Sequence, residues 1–396
     1  MEQYQRALEI YLKTLGQDHP ETATTYHNIG TVLSNQGKYE DATEQYQRAL
    51  EIRLKTLGPY HSLTAATYQE IGTVLQDQGK YEEAMEKYQR ALEIRLKALG
   101  PDHSLTATTY HGIGTVLQDQ GKYDDAMEQY QRALEIELKA LGPDHLETAT
   151  TYHSIGNVLR DQGRYEDAME QYQRSLEIEL KTRGPDHSKT ATKYCNMGTV
   201  LHYQEKYEDA MEPYQRALEI YLKTLGPDHS DTATTYHCIG NVLYNQGKYE
   251  NALEQYQRAL EIKLKTLGPD HSDTADTYHG IGNVLEYQGN HTNAAIPYKQ
   301  IGDVLQHQGK HDETRDRFLQ ALAIFCKNLG ENQWRGVAML YNSMAKDSAQ
   351  RGDQDDAVDL LNKAVEIKLK NAREDHPNLA MIYITIADVL LKTLPS

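Results

Sequence analysis

Apolar residues recur along this chain at i, i+3, i+4 and i+7, in blocks separated by short polar turns. Tyr26, Ile29, Gly30 and Leu33 form one such block, which predicts one face of an amphipathic helix, helix A. Asn35-Gln36-Gly37-Lys38 follows as a turn with glycine as the stop signal. Ala42, Tyr46, Ala49, Leu50, Leu54 and Leu57 then predict a second helix, helix B. Its ~19 residues span ~28 Å at the α-helical rise. Gly58-Pro59 ends it, because glycine accepts a left-handed cap and proline blocks continuation. A polar segment such as Asp102-His103-Ser104 supplies the cap of the next helix A.

The pattern has a period of 42 residues. Tyr26, Tyr68, Tyr110, Tyr152, Tyr194, Tyr236 and Tyr278 stand one period apart, as do Gly30, Gly72, Gly114, Gly156, Gly198, Gly240 and Gly282. Segments 62–103 and 104–145 differ at seven of 42 positions, so the array reads as a recent tandem amplification of about nine units. Glycine inside a helix costs ~1 kcal/mol against alanine. Its recurrence therefore predicts a close approach that a Cβ would obstruct, with Ala42 and its equivalents as the small residues facing the gap. A single hairpin cannot bury its apolar stripe, but a stack of hairpins can.

The succession Tyr26, Ile29, Gly30, Leu33, Ala42, Tyr46, Ala49 resembles the tetratricopeptide repeat (TPR) signature. The common TPR period is 34. The extension here, LKTLGPDH after GKYEDA and ALEI, resembles the 42-residue repeats of kinesin light chains. The resemblance implies an all-α helix-turn-helix solenoid, a right-handed superhelix of about nine repeats. It also implies a protein-interaction scaffold with a concave face lined by helix A. A cargo-adaptor role on microtubules and a kinesin heavy chain as partner follow from the resemblance alone. The heptad coiled coil with which kinesin light chains engage the heavy chain has no counterpart in this sequence.

The regular array is expected over 1–288, with 1–19 as a partial repeat lacking helix A, since Tyr4 aligns with Tyr46. A shortened, irregular junction is expected over 289–310: Ile281-Gly282 is followed after 20 residues by Ile301-Gly302. One helix from Asn290 to Gln308 should join the start of a helix B to the end of a helix A, with Pro297 kinking it and breaking the phase of the stack. Pro213 stands at the equivalent place in an earlier unit. Degenerate repeats follow over 311–396, with Ala345 and Ala387 at the glycine position and a final block from Tyr383 to Leu391.

Composition narrows the function. With 41 Lys and Arg against 58 Asp and Glu, the formal charge is −17, which opposes binding to a phosphate backbone. No apolar run is long enough to span a bilayer, so no membrane insertion is expected. The start MEQYQRALEI is unlike a signal peptide. Cys195, Cys238 and Cys326 are odd in number and widely spaced, which suits a reducing, cytoplasmic setting. The resemblance adds association with the cytoskeleton. The 17 histidines fall in repeating columns without a nearby ligand set, so repetition explains them better than a metal. Asp102-His103-Ser104 holds triad letters in a capping loop, Gly112-Ile113-Gly114 lacks a third glycine, and Asn290-His291-Thr292 is a sequon by letter only. Neither an enzyme nor a cofactor is expected.

The candidate site is the set of helix A positions that vary between units while the Leu33 column stays fixed. In the first column these are His27, Gln69, His111, His153, His237 and His279; in the second, Thr31, Thr73, Thr115, Asn157, Asn241 and Asn283. Near the end of helix A they are Gln118, Arg160, His202 and Tyr244, followed by Asp77, Asp119 and Asp161. Polar helix B positions such as Gln47, Arg48 and Glu51 are constant from unit to unit, and this contrast favours a diversified groove over drift. Its acidic stripe suits basic or neutral extended peptides better than the acidic, Trp-containing segments associated with kinesin light chains. The other readings are a sensor or effector array of a larger signalling protein, and a spacer without a selective ligand.

Overall fold

A computed structural model of the chain describes residues 1–288, 291–327 and 334–371, and these form 18 α-helices. The chain divides into two compact units, Met1–Val200 and Leu201–Ser396. The helices of the first are α1 (Glu2–Thr14), α2 (Pro20–Ser34), α3 (Tyr39–Thr56), α4 (Ser62–Asp77) and α5 (Tyr81–Ala98). It continues with α6 (Ser104–Asp119), α7 (Tyr123–Ala140), α8 (Leu146–Asp161) and α9 (Tyr165–Thr182). The unit boundary falls within α10 (Ser188–Tyr203). The second unit has α11 (Tyr207–Thr224), α12 (Ser230–Asn245), α13 (Tyr249–Thr266) and α14 (Ser272–Tyr287). Its further helices among the described residues are α15 (His291–His307), α16 (His311–Lys327), α17 (Trp334–Gln350) and α18 (Gln354–Asn371). Even-numbered helices from α2 to α14 are helix A, and each is followed by a helix B. The Tyr383–Leu391 block and Ala387 lie outside the described residues, as do Asn290 and the side chain of Cys326.

The loops that return each helix B to the next helix A are built locally. Gly58 has φ +88°, the left-handed region that glycine enters without strain. Its carbonyl accepts the Thr64 hydroxyl at 3.0 Å, while His61 Nδ1 accepts the backbone N–H of Leu63 at 3.1 Å. The loop histidine is thus an N-cap, satisfying one of the first turn's free donors. The same bond recurs from His103 to Leu105 and from His229 to Asp231.

The glycine column does mark a close approach, but the neighbour differs from the expected one. A Cβ on Gly30 would lie 2.8 Å from the ring of Tyr46, so the aromatic of helix B, not Ala42, fills the gap. Tyr46 is 1% exposed. Tyr46 and Tyr88 share one core with Ile71, Val74, Leu75, Ile113 and Val116. Within each compact unit a hairpin therefore buries its stripe against the next, since no hairpin is complete by itself. On α1, Tyr4 at the position equivalent to Tyr46 is 40% exposed.

Helix α15 serves two hairpins. Its Tyr298 hydroxyl donates to Asn283 Oδ1 of α14 at 2.9 Å, the bond that a helix B tyrosine makes elsewhere. Four residues on, Gly302 lies against the ring of Phe318 in α16, as a helix A glycine does. The helix is continuous through the buried Pro297, as α11 is through Pro213. Beyond it, Met344, Ala345, Leu361 and Ala364 of α17 and α18 extend the same core.

Candidate peptide-binding face

The helix A columns separate into an inner layer that ties hairpins together and an outer rim that meets solvent. The first-column histidines belong to the inner layer, whereas His202 stands in the rim column of Gln118, Arg160 and Tyr244. His111 Nε2 lies 3.0 Å from Ser154 Oγ, and His153 Nε2 lies 3.2 Å from Asn196 Nδ2. In the second unit His202 Nε2 lies 2.8 Å from Asn245 Nδ2 and His237 Nδ1 3.2 Å from Thr277 Oγ1. The first three of these bonds link a residue to one 43 positions further on, which is one period plus one. Burial holds His27 and His237 down to about 4, with the cationic neighbours Arg53 and Lys263 adding to the effect. Burial alone holds His111 at about 4, and His153 is depressed to about 3 by burial and then by Lys193 and Arg160. These rings are neutral hydrogen-bonding parts of the stack. His279 is likewise lowered by burial.

The Thr and Asn column completes the core tyrosines. Tyr46, Tyr88 and Tyr130 hydroxyls lie 3.0, 3.0 and 3.2 Å from Thr31, Thr73 and Thr115. Where the column carries asparagine, Tyr172 donates to Asn157 at 2.7 Å and Tyr256 to Asn241 at 2.6 Å. Threonine and asparagine are alternative acceptors for one buried phenol, so variation here serves the fold.

The outer rim is the end of helix A. Tyr130 donates to Gln118 Oε1 at 3.0 Å, and Gln118 Nε2 donates to Asp161 of the next unit at 3.3 Å. One repeat earlier, Tyr88 donates to Gln76 at 3.3 Å and Gln76 to Asp119 at 2.7 Å. Each relay runs from a core phenol through an amide to an exposed carboxylate. Arg160 lies on Asp161 at 2.8 Å, so this cation is matched within the rim. Burial and the neighbouring Asp119 push the Asp77 carboxyl above its ordinary value, as a row of like charges one repeat apart would. Tyr244 lies at the same rim in the second unit, with its ring centroid 5.6 Å from that of Tyr287.

The constancy of Arg48 has its own cause. Its guanidinium lies 5.7 Å over the Tyr26 ring of the same hairpin, and Arg132, Arg174 and Arg258 repeat the contact with Tyr110, Tyr152 and Tyr236. The fixed arginine column is therefore held by packing, and its constancy does not bear on whether helix A diversified for a ligand.

One column escaped the sequence reading. Position 53 and its equivalents are Arg53, Arg95, Glu137, Glu179, Tyr221 and Lys263, all buried in the last turns of helix B. Arg95 donates to Gln69 at 3.2 Å, to Thr109 at 2.6 Å and to the Leu105 carbonyl at 2.6 Å. Glu137 instead accepts from Thr151 at 3.1 Å, and its second oxygen is buried without a partner among the described residues. Burial pushes its carboxyl up to about 7. At the next interface Lys193 stands where Thr151 stands in the preceding unit, with its charge beside Glu179, and burial lowers it to about 8. The signal was available: Gln69/His111 and Arg95/Glu137 are two of the seven differences between the near-identical units, and Gln69 touches Arg95.

Among the described residues, no three His, Cys, Asp or Glu side chains converge to hold a metal ion, and no helix is long and apolar enough to cross a membrane.

No curated protein sequence matches this chain. Among solved structures, BtubC (BKLC) from P. vanneervenii superimposes with a TM-score of 0.50 at 20% identity, covering 59% of this chain and 91% of its own. A Rap protein complexed with competence and sporulation factor gives a TM-score of 0.55 at 16% identity, covering 94% and 98%. A putative kinesin light chain of nearly identical TPR-like repeats from Podosopora anserina gives 0.46 at 20% identity over 52% and 98%. The tetratricopeptide repeat profile matches residues 2–55, 30–97, 63–139, 105–180, 147–223, 231–301 and 293–370. With nearly all the described helices under that profile and its glycine–tyrosine packing in place, the chain belongs to the tetratricopeptide repeat family.

Proposed function

We propose that this protein is a non-enzymatic interaction scaffold whose helix A rim reads extended peptide segments or partner surfaces. The observation that carries the reading is the row of exposed carboxylates Asp77, Asp119 and Asp161, one repeat apart, the last two held from beneath by Gln76 and Gln118. A rim fixed by bonds to the core is preorganised, so a ligand does not have to order it. Its charge fits basic or neutral segments and opposes acidic ones. A Rap protein of the same fold was solved in complex with competence and sporulation factor, which agrees with a fold that takes up a binding partner. A motor cargo adaptor that meets a kinesin heavy chain in a cytoskeletal setting is the narrower form of this proposal. A sensor array within a larger signalling protein is its neighbour.

Affinity capture from cytosol tests it, with the native chain and a variant carrying Asp77→Asn, Asp119→Asn and Asp161→Asn as baits. The inner histidines are left alone, because they hold the stack together. A discrete partner set retained by the native chain and lost by the variant is expected. Identical background on both baits overturns the reading and leaves a spacer. Tighter binding of an acidic Trp-containing peptide than of a basic one overturns its charge preference.

A further inference from the structure

The second unit carries an aromatic hollow at the position where the first carries carboxylates. The ring of Tyr287 stacks on Tyr249 with centroids 5.4 Å apart and planes at 25°, and it meets Tyr244 edge-on at 5.6 Å and 84°. Tyr244 and Tyr249 are 5.8 Å apart, so the three rings are in mutual contact. Tyr287 is nonetheless 68% exposed. An open cavity of about 530 Å³ is lined by Tyr244, Asn283, Glu286 and Tyr287. Glu286 is exposed, accepts the Tyr298 hydroxyl at 3.2 Å, and has no ion pair among the described residues. The equivalent pairs in the first unit are Gln118-Asp119 and Arg160-Asp161, which bond across the rim. Here Glu286-Tyr287 leaves ring surface and a carboxylate facing one hollow.

Three tyrosines assembled at the surface bury less than they would in the core, and a nearby carboxylate makes the hollow unsuited to a purely apolar guest. Ring faces carry partial negative charge, so they and a carboxylate attract the same kind of group, a cation. Among cations, a guanidinium is flat enough to lie on a ring while its N–H fork reaches a carboxylate, which an ammonium does less well. The acidic balance of the chain, −17 overall, favours approach of a basic segment. We infer that the hollow lined by Tyr244, Tyr287 and Glu286, with Tyr249 stacked on Tyr287, is an anchor for an arginine side chain of a basic peptide. The inference rests on the peptide-reading proposal and gives it a position and a residue type.

A fluorescein-labelled Gly/Ser peptide bearing two arginines is titrated against the full chain by anisotropy, alongside forms with lysine or with citrulline in their place. Citrulline keeps the shape and loses the charge. Tyr287→Ala is expected to weaken the arginine peptide roughly two- to fivefold, the range of one exposed cation–π contact. Glu286→Gln is expected to weaken it less, the lysine peptide to bind more weakly, and the citrulline peptide to lose binding. Tyr287 is exposed, so its variant should keep the native melting temperature, and a melt confirms this. Equal binding of the citrulline and arginine peptides overturns the anchor. So does binding that survives Tyr287→Ala but is lost with Asp119→Asn and Asp161→Asn; that outcome leaves the scaffold reading standing on the first unit. No binding by any of these peptides also overturns it, while the capture experiment decides the scaffold separately.

Discussion

Glycine and tyrosine act as one packing unit in this array, and the fit is graded along the chain. A Cβ would stand 2.6 Å from the Tyr172 ring at Gly156, 3.2 Å from Tyr88 at Gly72 and 3.4 Å from Tyr298 at Gly282. Gly156→Ala is expected to destabilise by about 1–3 kcal/mol through overpacking, against the ~1 kcal/mol that alanine adds to a helix. Gly72→Ala should cost less, and Gly282→Ala should be neutral or stabilising. Urea denaturation of the three variants checks the order; equal effects at all three would contradict the graded fit. The glycine was legible because a helix former was avoided seven times over. Its partner was not, since a spacing of 16 residues does not say which side chain crosses the turn. The same limit explains the histidines. A column read at a 42-residue period is blind to a bond that skips to the neighbouring column 43 residues away, such as His111 to Ser154.

At the scale of the helix, the repeating bonds make the stack pH-sensitive in a defined direction. Half-buried His27, His111 and His237 are lowered to about 4 and His153 to about 3, against an ordinary 6.5. The unfolded chain therefore takes up protons before the folded one does. Stability from these groups is complete above 6.5 and is lost as pH falls through the folded values. Glu137 acts oppositely, because its carboxyl is raised from 4.5 to about 7, so its contribution grows on acidification through that window. Four rings outweigh one carboxyl, and the denaturation midpoint should fall between about pH 7 and about pH 5. The fall should be shallower in a His111→Asn, His153→Gln variant and steeper in Glu137→Gln. A midpoint independent of pH, or unchanged slopes in both variants, would contradict this account. Helix type and most helix ends were legible from periodicity and from Gly-Pro stops. The dual use of α15 follows from a deletion that fused Tyr298, a helix B residue by its bond to Asn283, with Gly302, a helix A residue by its contact with Phe318.

Over the whole chain, variation between units has two physical origins. Thr31 and Asn157 exchange within the core without changing the bond to its tyrosine, whereas the exchange of Arg95 for Glu137 at the buried column replaces three donated bonds with one accepted bond. The rim is different: Asp77, Asp119 and Asp161 in the first unit and Tyr203 and Tyr287 in the second are exposed, and their chemistry changes from acidic to aromatic. Only the exposed part of the candidate site retains the capacity to meet a partner, and burial, which decides this, is not written in a column of letters. Whether the exposed ends of helix A meet the partner is tested by a hydrogen–deuterium exchange footprint of the chain with and without a captured partner or basic peptide. Slowed exchange is expected at the C-terminal turns of α4, α6 and α8 with the captured partner, and at the C-terminal turn of α14 and the first turn of α13 with the basic peptide, the rest of helix B being unchanged. Protection confined to helix B surfaces, or none at any helix while the ligand is bound, would contradict that expectation.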